Sequence, residues 1–304
     1  MDVKPILIKI AIISSILSPE LSYSSSDLLR DNIDTTTQEN SSINIVGTSK
    51  DKTELDNIRN KILSTSRYSF VGNFSEGLAA VERNDKYGFI NTDGKEVVPL
   101  QYDLIGIGGF KRGLIAVQKN HKWGFINNSG QEVVELKYQD TWSFEEDITG
   151  VKKDDKWGFI DTNGEVFVPF QYEHAGYFAG GLVPVSKNNK HGYIDDTGQT
   201  VIELQYDWAY VFNEGLAGIE IDGKAGFINT MGQVVIPLIY DSAWAFSEGL
   251  APVKKDGKWG YINTEGNVVI PFKYDYADIF SMGVGIVKLN GEELRVNRQG
   301  QIVD

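Results

Sequence analysis

"KKDGKWGYINTEG", residues 254–266, holds a Trp-Gly pair between two glycine turns, and close relatives of this phrase recur along most of the chain. Aligned on the central glycine, the copies fall at Gly88, Gly124, Gly158, Gly192, Gly226 and Gly260, spaced by 36 residues once and by 34 four times. A fixed period of this length is the mark of a tandem array in which each unit buries its core against its neighbours. A second glycine column lies six residues further on, from Gly94 to Gly266, and one more step of 34 reaches Gly300 in a worn seventh copy. There Glu293 and Leu294 stand where Trp259 and Gly260 stood, as expected of a terminal unit whose outer face meets water. A tyrosine column, Tyr68 to Tyr274, is followed six residues later by Phe in every unit but one, where "LIGIGG" at 104–109 adds two residues.

Inside one unit the residues favour strands and tight turns. Asp256-Gly257 is a dipeptide suited to a two-residue hairpin, and "KWGYIN" after it alternates in the period-two manner of a sheet. "TEG" turns the chain again, and "NVVIP" makes a third strand, which Pro99, Pro169, Pro237 and Pro271 are read as ending, with Glu135 and Glu203 in the slot elsewhere. The expected architecture is all-β, with tandem three-stranded antiparallel units at residues 68–304 stacked as an open, solenoid-like array. A closed seven-bladed propeller is the alternative. Gly88, Gly124, Gly158, Gly192, Gly226 and Gly260 are read as points where another backbone or a ring passes too close for a side chain, and Trp123, Trp157 and Trp259 as packing area.

Residues 1–24 place Lys4 and Lys9 before a short apolar run, Ile10 to Leu17, then Pro19 and small residues. That order is read as a signal peptide, so the protein is expected to be exported to the periplasm, cell surface or medium, or to be cytoplasmic if the segment is not a signal. The apolar run is too short to span a bilayer, which needs about 20 residues. Residues 25–67 are rich in Ser, Thr, Asn and Asp and read as a disordered polar linker, although Leu55, Ile58 and Ile62 keep a helical spacing near its end.

The chain has 304 residues, a formal charge of −13 and no cysteine. Thiolate nucleophiles, thiolate metal sites and disulfides are thereby excluded. The acidity argues against nucleic acid as a partner, because such a surface repels a phosphate backbone. His121, His174 and His191 occupy different columns of different units, and no nucleophile elbow, phosphate loop or HExxH pattern occurs. "DTNGE", 161–165, lacks the closing glutamate of a calcium loop. The columns Asp103, Asp207, Asp241, Asp275 and Glu76, Glu214, Glu248 are read as turn acceptors rather than as a catalytic pair.

The phrases "KYGFINTDG", "KWGFINNSG", "KWGFIDTNG", "KHGYIDDTG", "KAGFINTMG" and "KWGYINTEG", with the flanking "FSEGLA" at Phe74 and Phe246, resemble the bacterial WG repeat, also called the KWG repeat. Tyr87, His191 and Ala225 depart from the family's Trp. The resemblance implies a repeat module without assigned enzymatic activity. The hairpins are also similar to the aromatic hairpins of choline-binding cell-wall repeats, which points to a solenoid and to an envelope ligand. The expected function is non-catalytic binding of a protein or peptide partner, with no cofactor, no metal, no nucleic acid and no transmembrane span. The alternative is a glycan or cell-wall module in which Trp142, Trp208 and Trp244, outside the main Trp column, stack on sugars, and a glycoside-processing enzyme is a remote third reading.

Overall fold

A computed structural model describes residues 52–144 and 146–303. The segment read as a signal peptide lies outside them, as does the linker before Lys52. The last part of that linker is a helix, α1 (Lys52–Ser64), rather than disordered chain. Its half-buried side is the one carrying Leu55, Ile58 and Ile62. Ile62 packs on the first core cluster, and Arg59 Nε donates to the Val71 carbonyl at 2.8 Å. The helix thereby covers a strand edge that would otherwise be open to pairing.

Seven four-stranded antiparallel sheets follow in tandem, one per repeat, and none closes into a barrel. The first contains β1 (Phe70–Ser75), β2 (Leu78–Arg83), β3 (Lys86–Asn91) and β4 (Glu96–Tyr102), and the second contains β5 (Leu104–Ile105), β6 (Leu114–Lys119), β7 (Lys122–Asn127) and β8 (Glu132–Tyr138), both in chain order. Each unit thus has one strand more than the three expected. From the second sheet onward the extra strand is only two residues long, Trp208–Ala209 being an example.

Proline does not end the outer strand. In β4 the chain runs through Pro99 to Tyr102, and Val234–Tyr240 and Val268–Tyr274 do the same. This strand has a ladder partner on one side only, so an imide nitrogen facing away from it forfeits nothing. Opposite that stretch sits the glycine of each Trp-Gly pair. A Cβ on Gly88, Gly124, Gly158, Gly192, Gly226 or Gly260 would lie 2.5–2.7 Å from a carbonyl oxygen of the outer strand, where the pairing bulges. The bulge presses backbone onto backbone, and only glycine leaves room.

The described residues form two compact units, dividing after Leu136. Within each, consecutive sheets are joined by the same contacts. The phenylalanine column pairs with the ring directly after the Trp-Gly pair in the preceding sheet, as in Phe89–Phe110, Tyr193–Phe212, Phe227–Phe246 and Tyr261–Phe280, with centroids 4.8–5.0 Å apart. Such pairs contribute about 1 kcal/mol each beyond the burial of their area. Turn glycines with positive φ rest on the outer strand of the sheet before, Gly232 on Ile202 and Gly266 on Ile236.

Candidate functional site

The carboxylate columns are used to join sheets. Asp207 accepts the Asp222 amide at 2.8 Å from the hairpin of the next sheet and pairs with Lys190 of its own at 2.6 Å. Asp241 does the same with the Gly257 amide at 3.1 Å and Lys224 at 2.8 Å, and Asp275 with the Asn290 amide at 2.7 Å and Lys258 at 2.6 Å. Asp103 joins Lys86 to the Asn120 amide. The lysine hydrogen bond is the main influence holding these four carboxyls below the usual range, with the amide adding to it. Glu76, Glu214 and Glu248 accept the Gly113, Gly249 and Gly283 amides, each at 2.9 Å. The four aspartates are thereby favoured as ionised acceptors, the opposite of what a general acid requires.

Asp161 accepts the Asn163 and Glu165 amides at 2.9 and 2.8 Å within its own turn. Among the described residues no group of three or more His, Asp or Glu could hold a metal ion.

The three off-column tryptophans do not occupy one register. Trp142 and Trp244 share a position with Tyr210, whereas Trp208 shares one with His174 and Tyr276. All three are packed. Trp142 stacks on Trp157 with centroids 6.1 Å apart and donates its Nε1 to the Ala175 carbonyl at 2.9 Å. Trp244 is buried between Trp259 and Tyr276, with centroids at 5.8 and 5.7 Å. Trp208 lies 4.7 Å from His191 and is half-buried, and its Nε1 is enclosed without a hydrogen-bond partner among the described residues. His174 and His191 are brought together, centroids 6.2 Å apart, and burial, with His174 alongside, depresses His191 to about 4. His121 is in another sheet, in a hairpin turn at positive φ.

The surface that repeats most regularly escaped the sequence reading. In the second unit four consecutive outer strands expose an apolar residue at one register position: Phe167 at 46%, Val201 at 47%, Val235 at 42% and Val269 at 39%. Val166, Val234 and Val268 are exposed beside three of them. Along these strands two exposed residues precede the buried Val168, Ile202, Ile236 and Ile270. The paired apolar residues, such as Val234-Val235, break strict alternation and were the available signal.

The repeated sheets and the glycine column under each bulge define a tandem β-repeat protein. The chain belongs to the family of the WG-containing repeat, which matches at residues 57–87, 87–123, 123–157, 157–190, 192–224, 226–259 and 259–292. Among solved structures it is similar to Hsv2p of Kluyveromyces lactis at 11% identity and a TM-score of 0.45, covering 77% of this chain and 97% of that one. It is also similar to the dihydro-heme d1 dehydrogenase NirN, at 10% identity and a TM-score of 0.47, covering 78% of this chain and 65% of that one. Likeness at this level says nothing of ligand or activity. No curated protein matches the chain. No helix among the described residues is long and apolar enough to cross a membrane.

Proposed function

We propose that the protein is a non-catalytic scaffold whose outer strands dock a protein or peptide partner, and that it works in the cell envelope. The observation that carries this reading is the column Phe167, Val201, Val235 and Val269, exposed at the same position of four consecutive sheets. A repeated apolar surface of this kind suits an extended partner, because each sheet offers the same contact at the repeat spacing. Proline and glutamate on the same strands discourage indiscriminate edge pairing and leave the side chains as the means of recognition. The indoles needed for sugar stacking are already engaged with the rings of Trp157, His191, Trp259 and Tyr276, which favours protein over glycan.

The test compares the immobilised protein with its Val201→Thr, Val235→Thr, Val269→Thr variant, using extract from the cells that make it and, separately, insoluble peptidoglycan. Retention of one protein by the parent and its loss from the folded variant is the expected result. Retention on peptidoglycan, abolished by Trp142→Ala, Trp208→Ala and Trp244→Ala rather than by the threonines, would replace this reading with the glycan one.

A further inference from the structure

The first unit contains an apolar pocket of about 650 Å³ between its first two sheets. That volume is within the roughly 300–1,000 Å³ range of small-molecule sites. Its origin is visible in the repeat. Trp142, Tyr210 and Trp244 occupy one register position of the third, fifth and sixth sheets, and the same position is Gly72 in the first sheet and Gly106 in the second. Both glycines line the pocket. The side chain that fills the groove elsewhere is missing from two successive sheets. In the fourth sheet the position is again glycine, Gly176, but Val211 and Pro184 close on it, with atoms 3.2 and 2.7 Å from where its Cβ would stand.

The two residues added in "LIGIGG" are at the same place. Ile107, Gly108 and Gly109 line the pocket, and Gly108 and Gly109 both have positive φ, at 87° and 78°. The segment thus turns tightly along the pocket instead of folding across it. One irregularity of the array and the gap in its aromatic column therefore build a single cavity. Its wall is chiefly aromatic and aliphatic, with the half-buried Phe70, Phe74, Ile105 and Ile107 lining it over the buried Phe89 and Phe110. The Ser75 hydroxyl in the lining is engaged, donating to the Phe110 carbonyl at 2.7 Å. Among the described lining residues the one charged group is Lys52, at the exposed start of the helix, and no carboxylate joins it, although the chain as a whole carries −13.

We propose that this pocket binds a small amphiphile with an apolar chain and an anionic head, of the class of medium-chain carboxylates. The chain lies against Phe70, Phe74 and Ile105, and the head pairs with Lys52 at the rim. A bare alkyl body draws on apolar burial alone, and the lone ammonium supplies the preference for a negative head over a positive one. This site is separate from the outer-strand column, so either can fail without the other.

The experiment titrates the full chain with decanoate below its micelle concentration by calorimetry, beside decanol and decylammonium. Decanoate is expected to bind with one site per chain and decylammonium at least tenfold more weakly. Gly72→Trp installs the indole that Trp142 supplies two sheets later. Its Cβ would be 3.4 Å from the Phe70 ring and 3.6 Å from Ala80, ordinary contacts. This variant is expected to lose decanoate binding at least tenfold while keeping its melting temperature. Lys52→Ala, a rim substitution that leaves the core intact, is expected to weaken decanoate about fivefold and leave decanol unchanged. Absence of decanoate binding to the parent overturns the proposal. So does decanoate binding that survives Gly72→Trp in a folded protein, or that is indifferent to Lys52→Ala.

Discussion

The indole of Trp208 lies against the imidazole of His191 with ring centroids 4.7 Å apart. His191 stands in the Trp column, so a smaller ring in one sheet is matched by a larger one in the next. The imidazole is 7% exposed and held neutral by burial, with its pKa lowered to about 4 from 6.5. In the unfolded chain it takes up a proton near 6.5, so between the two values the unfolded state binds more protons. Its contribution is fully present above 6.5 and is lost as the pH falls towards 4, amounting to roughly 3 kcal/mol across the window. Urea unfolding at a series of pH values should therefore show a steeper fall for the parent than for His191→Phe. Parallel profiles would mean that the ring is protonated without cost.

The inter-sheet carboxylates act in the same direction at lower pH. Asp241 is held below its ordinary pKa chiefly by Lys224, so its stabilisation is present above the unfolded value and disappears as the pH falls through the folded one. It is exposed, and screening keeps the ion pair small. Asp241→Asn keeps an acceptor for the Gly257 amide and should cost a few tenths of a kcal/mol. Asp241→Ala removes the acceptor as well and should cost about 1 kcal/mol. Chemical denaturation of both variants at neutral pH measures the difference, and equal losses would assign the whole effect to Lys224.

Glycine is required at two kinds of position for different reasons. A Cβ at Gly226 would be 2.6 Å from the Ile236 carbonyl oxygen, backbone that cannot step aside without shifting the bulge. Gly226→Ala should cost about 3 kcal/mol or more. Gly223 has open space around its Cβ position but a φ of 70°, so Gly223→Ala should cost about 1 kcal/mol. Denaturant midpoints of the two variants give the ranking directly. A reversed order would mean that the outer strand yields.

The period, the hairpins and the crowding at Gly88, Gly124 and their counterparts were legible because each depends on a few adjacent residues repeated many times. The fourth strand was not, since two residues such as Trp208–Ala209 are too short to show alternation. Pro99 reads as a stop until β4 is known to have one ladder partner only. Trp142, Trp208 and Trp244 look equivalent as tryptophans, yet only two share a register, and exposure of the indoles depends on rings such as Tyr276 from the following unit. The apolar outer column was hidden because Val235 and Ile236 are alike in chemistry, whereas one faces water and the other the core shared with the following sheet. Tertiary position separates them, and composition does not.

Two neighbouring tyrosines give a last contrast. The Tyr193 hydroxyl is fully buried and donates to the Tyr210 carbonyl at 2.7 Å, whereas the Tyr210 hydroxyl is buried with no hydrogen-bond partner among the described residues. Burial raises the pKa of both phenols, so each is protonated throughout the ordinary range. Tyr193→Phe removes a donor from a buried carbonyl and should destabilise by about 1–2 kcal/mol. Tyr210→Phe removes a group that lost its water on folding and gained nothing in return, so it should be neutral or stabilise by up to about 1 kcal/mol. Thermal and urea unfolding of the pair decide the matter. A loss of stability in Tyr210→Phe comparable to that in Tyr193→Phe would show that the Tyr210 hydroxyl finds a partner, with a bound water the simplest one.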